Sequence, residues 1–306
     1  MVKTILVTGA TGHQGGATVT ALVDYNSKNV DDQYHILALT RNPTSDSAVA
    51  LSGLPNVEVV QGELADNQSI AKIFDDQSKN GIYGVFVVLD PFGGDELAQG
   101  KLLVDLAISH KVKRIVYSGA DLSGLSPTPV PHFETKRQIE EYLISSSSGK
   151  NHISWTIFRP GGFLENFYIP GYSLVVAALL NPDIQFPLIG TGDIGRATAE
   201  ILVSSDEDNE KFKGKKIHLA GSAYPLKGLL EILKKFGFPV EGLTREQAYG
   251  GLPEPAKVAF NTYNEFGAEG TPEETKKYFP WVKDLEEWLK TEYQSDKVTK
   301  SYGAAK

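Results

Sequence analysis

An α/β doubly wound parallel sheet with a smaller mixed C-terminal domain is the fold class that this 306-residue chain predicts. Three observations predict it. Short apolar runs rich in Val and Ile alternate with segments of helical spacing through the first half of the chain. One run, Val85-Phe86-Val87-Val88-Leu89, is apolar throughout, as a strand covered on both faces requires. The first run leads directly into Gly9-Ala10-Thr11-Gly12-His13-Gln14-Gly15-Gly16, and a helical pattern follows at once. Strand and helix alternating at these intervals imply right-handed crossovers between parallel strands.

The elements follow in order. Residues 4–7 form the first strand, and 14–25 the helix after the glycine loop. The polar stretch 26–33 reads as a surface loop before the second strand, 34–39. A short helix near 45–51 precedes the third strand, 57–60, and a longer one at 66–77 precedes the fourth, 85–89. Helix 99–110, strand 114–117, helix 134–144 and strand 153–158 complete the alternation, with Ser145 to Gly149 as the solvated turn that ends the last helix. Beyond about Gly162 the alternation weakens and prolines such as Pro170, Pro182, Pro187 and Pro225 cut the chain into short elements. The division expected is a dinucleotide-binding domain over 1–162, open to later elements, and a smaller substrate or partner domain over 163–306. In the latter, Thr271-Pro272-Glu273-Glu274 is a helix start, and Leu285, Trp288 and Leu289 recur at core spacing.

Composition narrows the chemistry. With no cysteine there is no disulfide framework, thiol nucleophile or thiolate ligand. The six histidines (His13, His35, His110, His132, His152 and His218) include no pair at i, i+4, so no metal site is expected. A net charge of −8, relieved only by the short basic stretch Lys213 to Lys216, disfavours direct nucleic-acid binding. Strand-like residues begin at Val2, and the longest apolar run, Leu174 to Leu180, is too short to span a bilayer. A soluble protein of the cytoplasm or nucleus is expected, with no membrane partner.

The glycine loop carries the first functional expectation. A turn that brings backbone N–H groups to a pyrophosphate needs residues without Cβ at the bend and where the phosphate approaches, with a helix N-terminus facing the anion. Gly9, Gly12 and Gly15 supply those positions, in the Rossmann-type context of strand, loop and helix. Dinucleotide folds that prefer NAD carry an acid at the end of the second strand. Here Thr40, Arg41 and Asn42 follow that strand, with no Asp or Glu between Asp32 and Asp46. A guanidinium there suits a 2′-phosphate, which points to NADP(H), although a solvated loop arginine is the plainer alternative.

Further candidates sit where the later strands end. Glu63 and Leu64 follow the third and are expected at an adenine pocket, while Leu89, Asp90 and Pro91 close the fourth; Asp90 could equally cap the next helix. Ser118 ends the fifth, either near a nicotinamide or as an ordinary turn serine. In His132-Phe133-Glu134-Thr135-Lys136, the lysine stands where short-chain dehydrogenases carry the Lys of Tyr-x-x-x-Lys, with His132 in the tyrosine's place. Lys136 shares a helix face with Ile139 and Leu143 and should point inward, as a cofactor ligand or as an ion-pair partner of Glu140.

Together these residues resemble the NmrA-like family of atypical short-chain dehydrogenases, nearest to its NADPH-sensing members. The likeness rests on Gly9-Ala10-Thr11-Gly12-x-Gln14-Gly15, Thr40-Arg41-Asn42, Gln99-Gly100-Lys101, Tyr117-Ser118-Gly119, His132-Phe133-x-x-Lys136 and Arg159-Pro160-Gly161-Gly162-Phe163. The resemblance implies that Thr11, His13, Gln14, Arg41, Lys136 and the loop Pro160, Gly161, Gly162, Phe163 contact NADP(H). It implies one of two roles: a redox-responsive regulator that reports the cofactor's state to a protein partner, or an NADPH-dependent reductase of quinones, carbonyls or enones. His132 favours the regulator. In the reductase, Lys136, Ser118 and His132 are the catalytic candidates, and an apolar pocket from Phe163, Phe167, Tyr168 and Tyr172 would receive substrate unless those aromatics are core.

Overall fold

The computed structural model describes residues 2–77, 81–148 and 153–293. Gly149 and His152 lie outside the described residues. The strands are β1 (Lys3–Val7), β2 (Tyr34–Thr40), β3 (Val57–Gln61), β4 (Ile82–Val87), β5 (Arg114–Ser118), β6 (Ser154–Pro160), β7 (Gly162–Phe163), β8 (Gln185–Ile189), β9 (Lys215–Leu219) and β10 (Ser222–Pro225). Among the helices, α1 (His13–Lys28), α2 (Asp46–Ser52), α3 (Asn67–Asp76), α4 (Glu96–Ser109), α5 (Pro131–Ser146), α6 (Tyr172–Leu179) and α7 (Thr191–Val203) matter below.

Seven strands form one sheet in the order β3-β2-β1-β4-β5-β6-β9, with parallel pairing from β3 through β6. The doubly wound α/β class expected from the sequence is the fold observed. The chain reverses its direction of winding between β1 and β4, where such sheets open a crevice beyond the strand ends. Leu6, Leu37, Val85, Ile115 and Ile157 are buried in one core cluster with Leu103 and Ile139 of the covering helices. Gly100 allows α4 to approach α5, since a Cβ there would lie 2.7 Å from Ile139 Cδ1.

Two compact units interleave in sequence. The first comprises residues 1–119, 135–158 and 191–217, and the second 120–134, 159–190 and 218–306. The first therefore takes in α7 and most of β9 from beyond residue 162. Within it, Gly195 of α7 packs on α1 so closely that a Cβ would lie 2.4 Å from the Ala17 carbonyl carbon. The second unit holds a small sheet of order β10-β8-β7 and a core of Leu164, Phe167, Leu188, Leu229 and Trp288.

Several sequence expectations need correction. The fourth strand begins at Ile82 and ends at Val87, because Gly84 pairs with both β1 and β5 and the chain turns after Val88. Helix α4 starts at Glu96, where the Asp95 carboxylate caps Ala98 N–H, and α5 starts at Pro131, which puts His132 and Phe133 inside the helix. The stretch 26–33 is not only a surface loop. Asn26 lies in the last turns of α1, 1% exposed, and its amide both donates to Tyr34 O and accepts from Tyr34 N–H at 2.8 Å, fixing the start of β2. The basic stretch hid β9, whose exposed Lys215 and Lys216 suit an edge strand. Phe167 is core, with Tyr168 and Tyr172 packed against it.

Candidate dinucleotide cleft

Between β1 and α1 the chain turns through Gly9, whose φ of +57° is the left-handed region that glycine occupies without Cβ strain. Gly12 caps α1 and, having no side chain, makes no side-chain cap bond to the first turn. In contrast, α2, α3 and α4 are each capped by their own Ser45, Asp66 or Asp95. With no acid in its first turn either, α1 keeps its positive end for an outside anion. Gly15 sets how near that helix comes, since a Cβ there would lie 2.1 Å from Gly9 O. Gly15→Ala is expected to push the helix start off the strand end and cost about 1–3 kcal/mol; an unchanged thermal midpoint would contradict this packing.

Thr8, which the sequence reading passed over, ties the reversal point together. Its hydroxyl donates to Val88 O and accepts from Val88 N–H, both at 2.9 Å, so the ends of β1 and β4 are laced by a side chain. A hydroxyl residue closing an apolar strand was the available signal.

A cavity of about 330 Å³ opens at these ends. It brings together Gly9 and Thr11 from the loop, Arg41 and Asn42 after β2, Glu63 and Leu64 after β3, and Asp90 after β4. Ser45 and Ser47 add hydroxyls to the Arg41 wall, and Gln99, 5% exposed, reaches in from α4 while donating to Gly93 O. Ser45 and Ser47 were not anticipated, although Ser-x-Ser follows Arg41 and Asn42 within six residues, and Gln99 entered only as part of the family likeness. Asp90 caps its own turn by accepting from Phe92 N–H at 2.9 Å and does not cap α4. Leu89 is buried behind the wall, Pro91 continues the turn, and His13 stands exposed at the first position of α1.

Ser118 and Gln14 meet directly, the serine hydroxyl donating to Gln14 Oε1 at 2.7 Å, so β5 is joined to the start of α1. Helix α5 buries Lys136, Ile139, Glu140 and Leu143 on one face, as their spacing predicts. The partner of Lys136 is Glu96 of α4, at 2.5 Å, and not Glu140, which lies 3.5 Å from Lys216. Tyr117 of β5 has a buried hydroxyl held well above its ordinary value by burial, with Glu96 and Glu140 adding to the effect.

The remaining predicted residues belong to the second unit. His132 packs edge-on against Phe133 at 4.5 Å between ring centres. Pro160 closes β6 and accepts from Asp121 N–H, while Gly161 donates to Leu219 O. A Cβ on Gly161 would lie 2.7 Å from Pro187 O, and Gly162 and Phe163 pair with Leu188 and Ile189.

The same unit gathers Asp121, His218 and Glu269, whose ligand atoms lie within 4.8 Å of one another. The scatter of histidines in sequence gave no hint of it. The Asp121 oxygens already accept from Ser123, Glu269 and Gly270 N–H at 2.9, 3.0 and 2.8 Å, and Arg159 lies 3.6 Å from Glu269. Burial acts to raise the Asp121 carboxyl, but His218 and these N–H donors outweigh it and hold it below its ordinary value. With its lone pairs filled and a guanidinium alongside, the group is an anchor for the 269–270 turn more than a cation cage.

Comparison with known proteins sets this geometry in a family. The model of the NmrA-like family matches residues 1–289. The chain belongs to the NmrA-like family. This NmrA-like chain is 35% identical over 176 residues to the NmrA-like family domain-containing oxidoreductase ptmS of Penicillium ochrochloron, over 54% of this chain and 48% of that protein. The chain thus spans about half the length of the curated relatives it matches first. Among solved structures, NmrA, a negative transcriptional regulator in complex with NADP, matches with a TM-score of 0.73 and 20% identity, covering 98% of both chains. The NADPH-dependent quinone oxidoreductase of Escherichia coli, complexed with NADPH, matches with a TM-score of 0.72 and 20% identity, covering 95% of this chain and 99% of that one. At such identities the likeness is one of fold. Among the described residues, no helix of this NmrA-like chain is long and apolar enough to cross a membrane.

Proposed function

We propose that this NmrA-like protein binds NADP(H) and acts as a redox-responsive regulator toward a protein partner, in the cytoplasm or nucleus. The observation that carries the cofactor reading is the wall formed by Arg41, Asn42, Ser45 and Ser47 beyond β2, which offers donors to a 2′-phosphate where an NAD site would offer an acid. The glycine cradle fits a pyrophosphate at the uncapped start of α1, because side chains at Gly9 or Gly15 would collide with Val88 or with Gly9 itself. Lys136 would serve the nicotinamide ribose. His132 in place of the usual tyrosine supports the regulatory role, as does the likeness to a transcriptional regulator crystallised with NADP.

A second reading, an NADPH-dependent reductase of quinones, carbonyls or enones, is favoured by relatives named oxidoreductases. Bound NADPH would supply the hydride; Lys136 would hold the ribose, and Ser118 or His132 would assist the substrate oxygen. NADPH consumption by purified protein, with binding first established, separates the two. Absence of turnover across quinones, aldehydes and enones is expected; steady consumption that Lys136→Ala abolishes would establish the reductase. Arg41→Ala is expected to weaken NADPH about tenfold or more, the worth of one charge-assisted contact, while leaving NADH nearly unchanged. Equal losses for both would remove Arg41 from the 2′-phosphate.

A further inference from the structure

Lys136 is held by a group that the cofactor reading leaves unused. Glu96 opens α4, is 4% exposed, and accepts from Lys136 Nζ through Oε1 at 2.5 Å. Its second oxygen, Oε2, is buried with no hydrogen-bond partner among the described residues. A carboxylate in this position is stabilised by the ammonium and by the positive end of α4, and penalised at its other oxygen. Burial pushes Glu96 above its ordinary value, and Lys136 pulls it back. Neighbouring acidic side chains oppose the charge. Asp90, from the turn after β4, pushes in the same direction as burial. Tyr117 of β5, whose hydroxyl feels the Glu96 charge, is buried with no hydrogen-bond partner among the described residues. Glu140, one turn beyond Lys136 on α5, faces Tyr117 and Lys216.

We propose that Glu96 takes up a proton when a dinucleotide binds, so that this side chain couples cofactor affinity to pH. The inference rests on the reading that the cleft and Lys136 take NADP(H). Two effects act in the same direction. Ribose hydroxyls compete for the Lys136 donors that now neutralise Glu96, and the phosphates bring negative charge into the same unit; each disfavours the ionised carboxyl. The proton comes from solvent and settles on the carboxyl group, whose unpartnered Oε2 no longer carries buried charge. A group that holds its proton more tightly in the complex than in the free protein makes binding strongest at low pH. Affinity then falls as pH rises, by up to about tenfold per pH unit for one full proton.

Titration calorimetry near neutral pH, in two buffers of different ionisation enthalpy, tests this with NADPH and with NADH. The 2′-phosphate of NADPH itself titrates near pH ~6; NADH lacks it, so any proton taken up with NADH enters the protein. The expected result is net proton uptake with both ligands in the wild type and its loss in Glu96→Gln, which keeps an acceptor for Lys136 and still binds. Binding without buffer dependence in the wild type would overturn the proposal, as would undiminished uptake in Glu96→Gln. Should that variant fail to fold, the wild-type affinity for NADH decides: a fall with rising pH supports the coupling, and a flat profile overturns it. Failure to bind either dinucleotide would instead sink the cofactor reading, and this inference with it.

Discussion

Arg114→Met is expected to lower the unfolding free energy by about 2–3 kcal/mol, the cost of leaving buried carbonyls without a charged donor. Arg114 sits at the first position of β5 with its side chain 2% exposed. Helix α7 ends at Val203, and its last carbonyls have no partners within the helix. The guanidinium supplies them: Nη1 lies 3.1, 3.2 and 2.6 Å from the carbonyl oxygens of Ile201, Leu202 and Ser204. Nη2 reaches Asp206 at 3.0 Å, but that carboxylate is fully exposed and adds little. Methionine would fill much of the volume and strip the guanidinium donor from the Leu202 and Ser204 carbonyls, while Ile201 O keeps the Ser204 hydroxyl at 2.9 Å. Arg114→Lys should recover only part of the loss, because a single ammonium cannot reproduce the planar fork. Urea unfolding measures both variants, and a loss below about 1 kcal/mol for Arg114→Met would refute the role.

Asp121→Asn is expected to cost about 2–4 kcal/mol at neutral pH and to flatten the acid side of the stability profile. The native carboxylate is wholly buried and faces N–H donors from Ser123, Glu269 and Gly270, with His218 Nδ1 3.4 Å away. An amide turns one acceptor into a donor aimed at other N–H groups. Because the folded carboxyl is held below its unfolded value, its contribution is complete above the unfolded value of about 3.9 and is lost as pH falls through the folded one. Wild type should therefore lose stability below pH ~4 more steeply than the variant. Parallel acid-unfolding curves would show that Asp121 is not the linked group.

The parts of this fold that sequence made legible are those in which each residue reports its own environment. The apolar run 85–89 announced a central strand, and glycines followed by a helical pattern announced the turn into α1. Lys136 was readable as inward from Ile139 and Leu143, its neighbours on the same helix face. Its partner was not. Glu96 is 40 residues away on another helix, and only the packing of α4 against α5 brings the two together. Arg114 and its carbonyls, and Thr8 with Val88, were hidden for the same reason: a side chain serving distant backbone leaves no local pattern. Strand β9 was missed because an edge strand tolerates the lysines that make a segment look like a surface loop.

The interleaving of the two units bears on how such a protein can be divided or recombined. The chain passes between them at 119/120, 134/135, 158/159, 190/191 and 217/218. A fragment cut at 162 would keep the glycine loop, yet lose α7, the helix whose Gly195 packs on α1, and the edge strand β9. The nucleotide-type half is therefore not a cassette that one crossover could graft onto another protein. Exchange of one half for another must carry three separate stretches of gene at once.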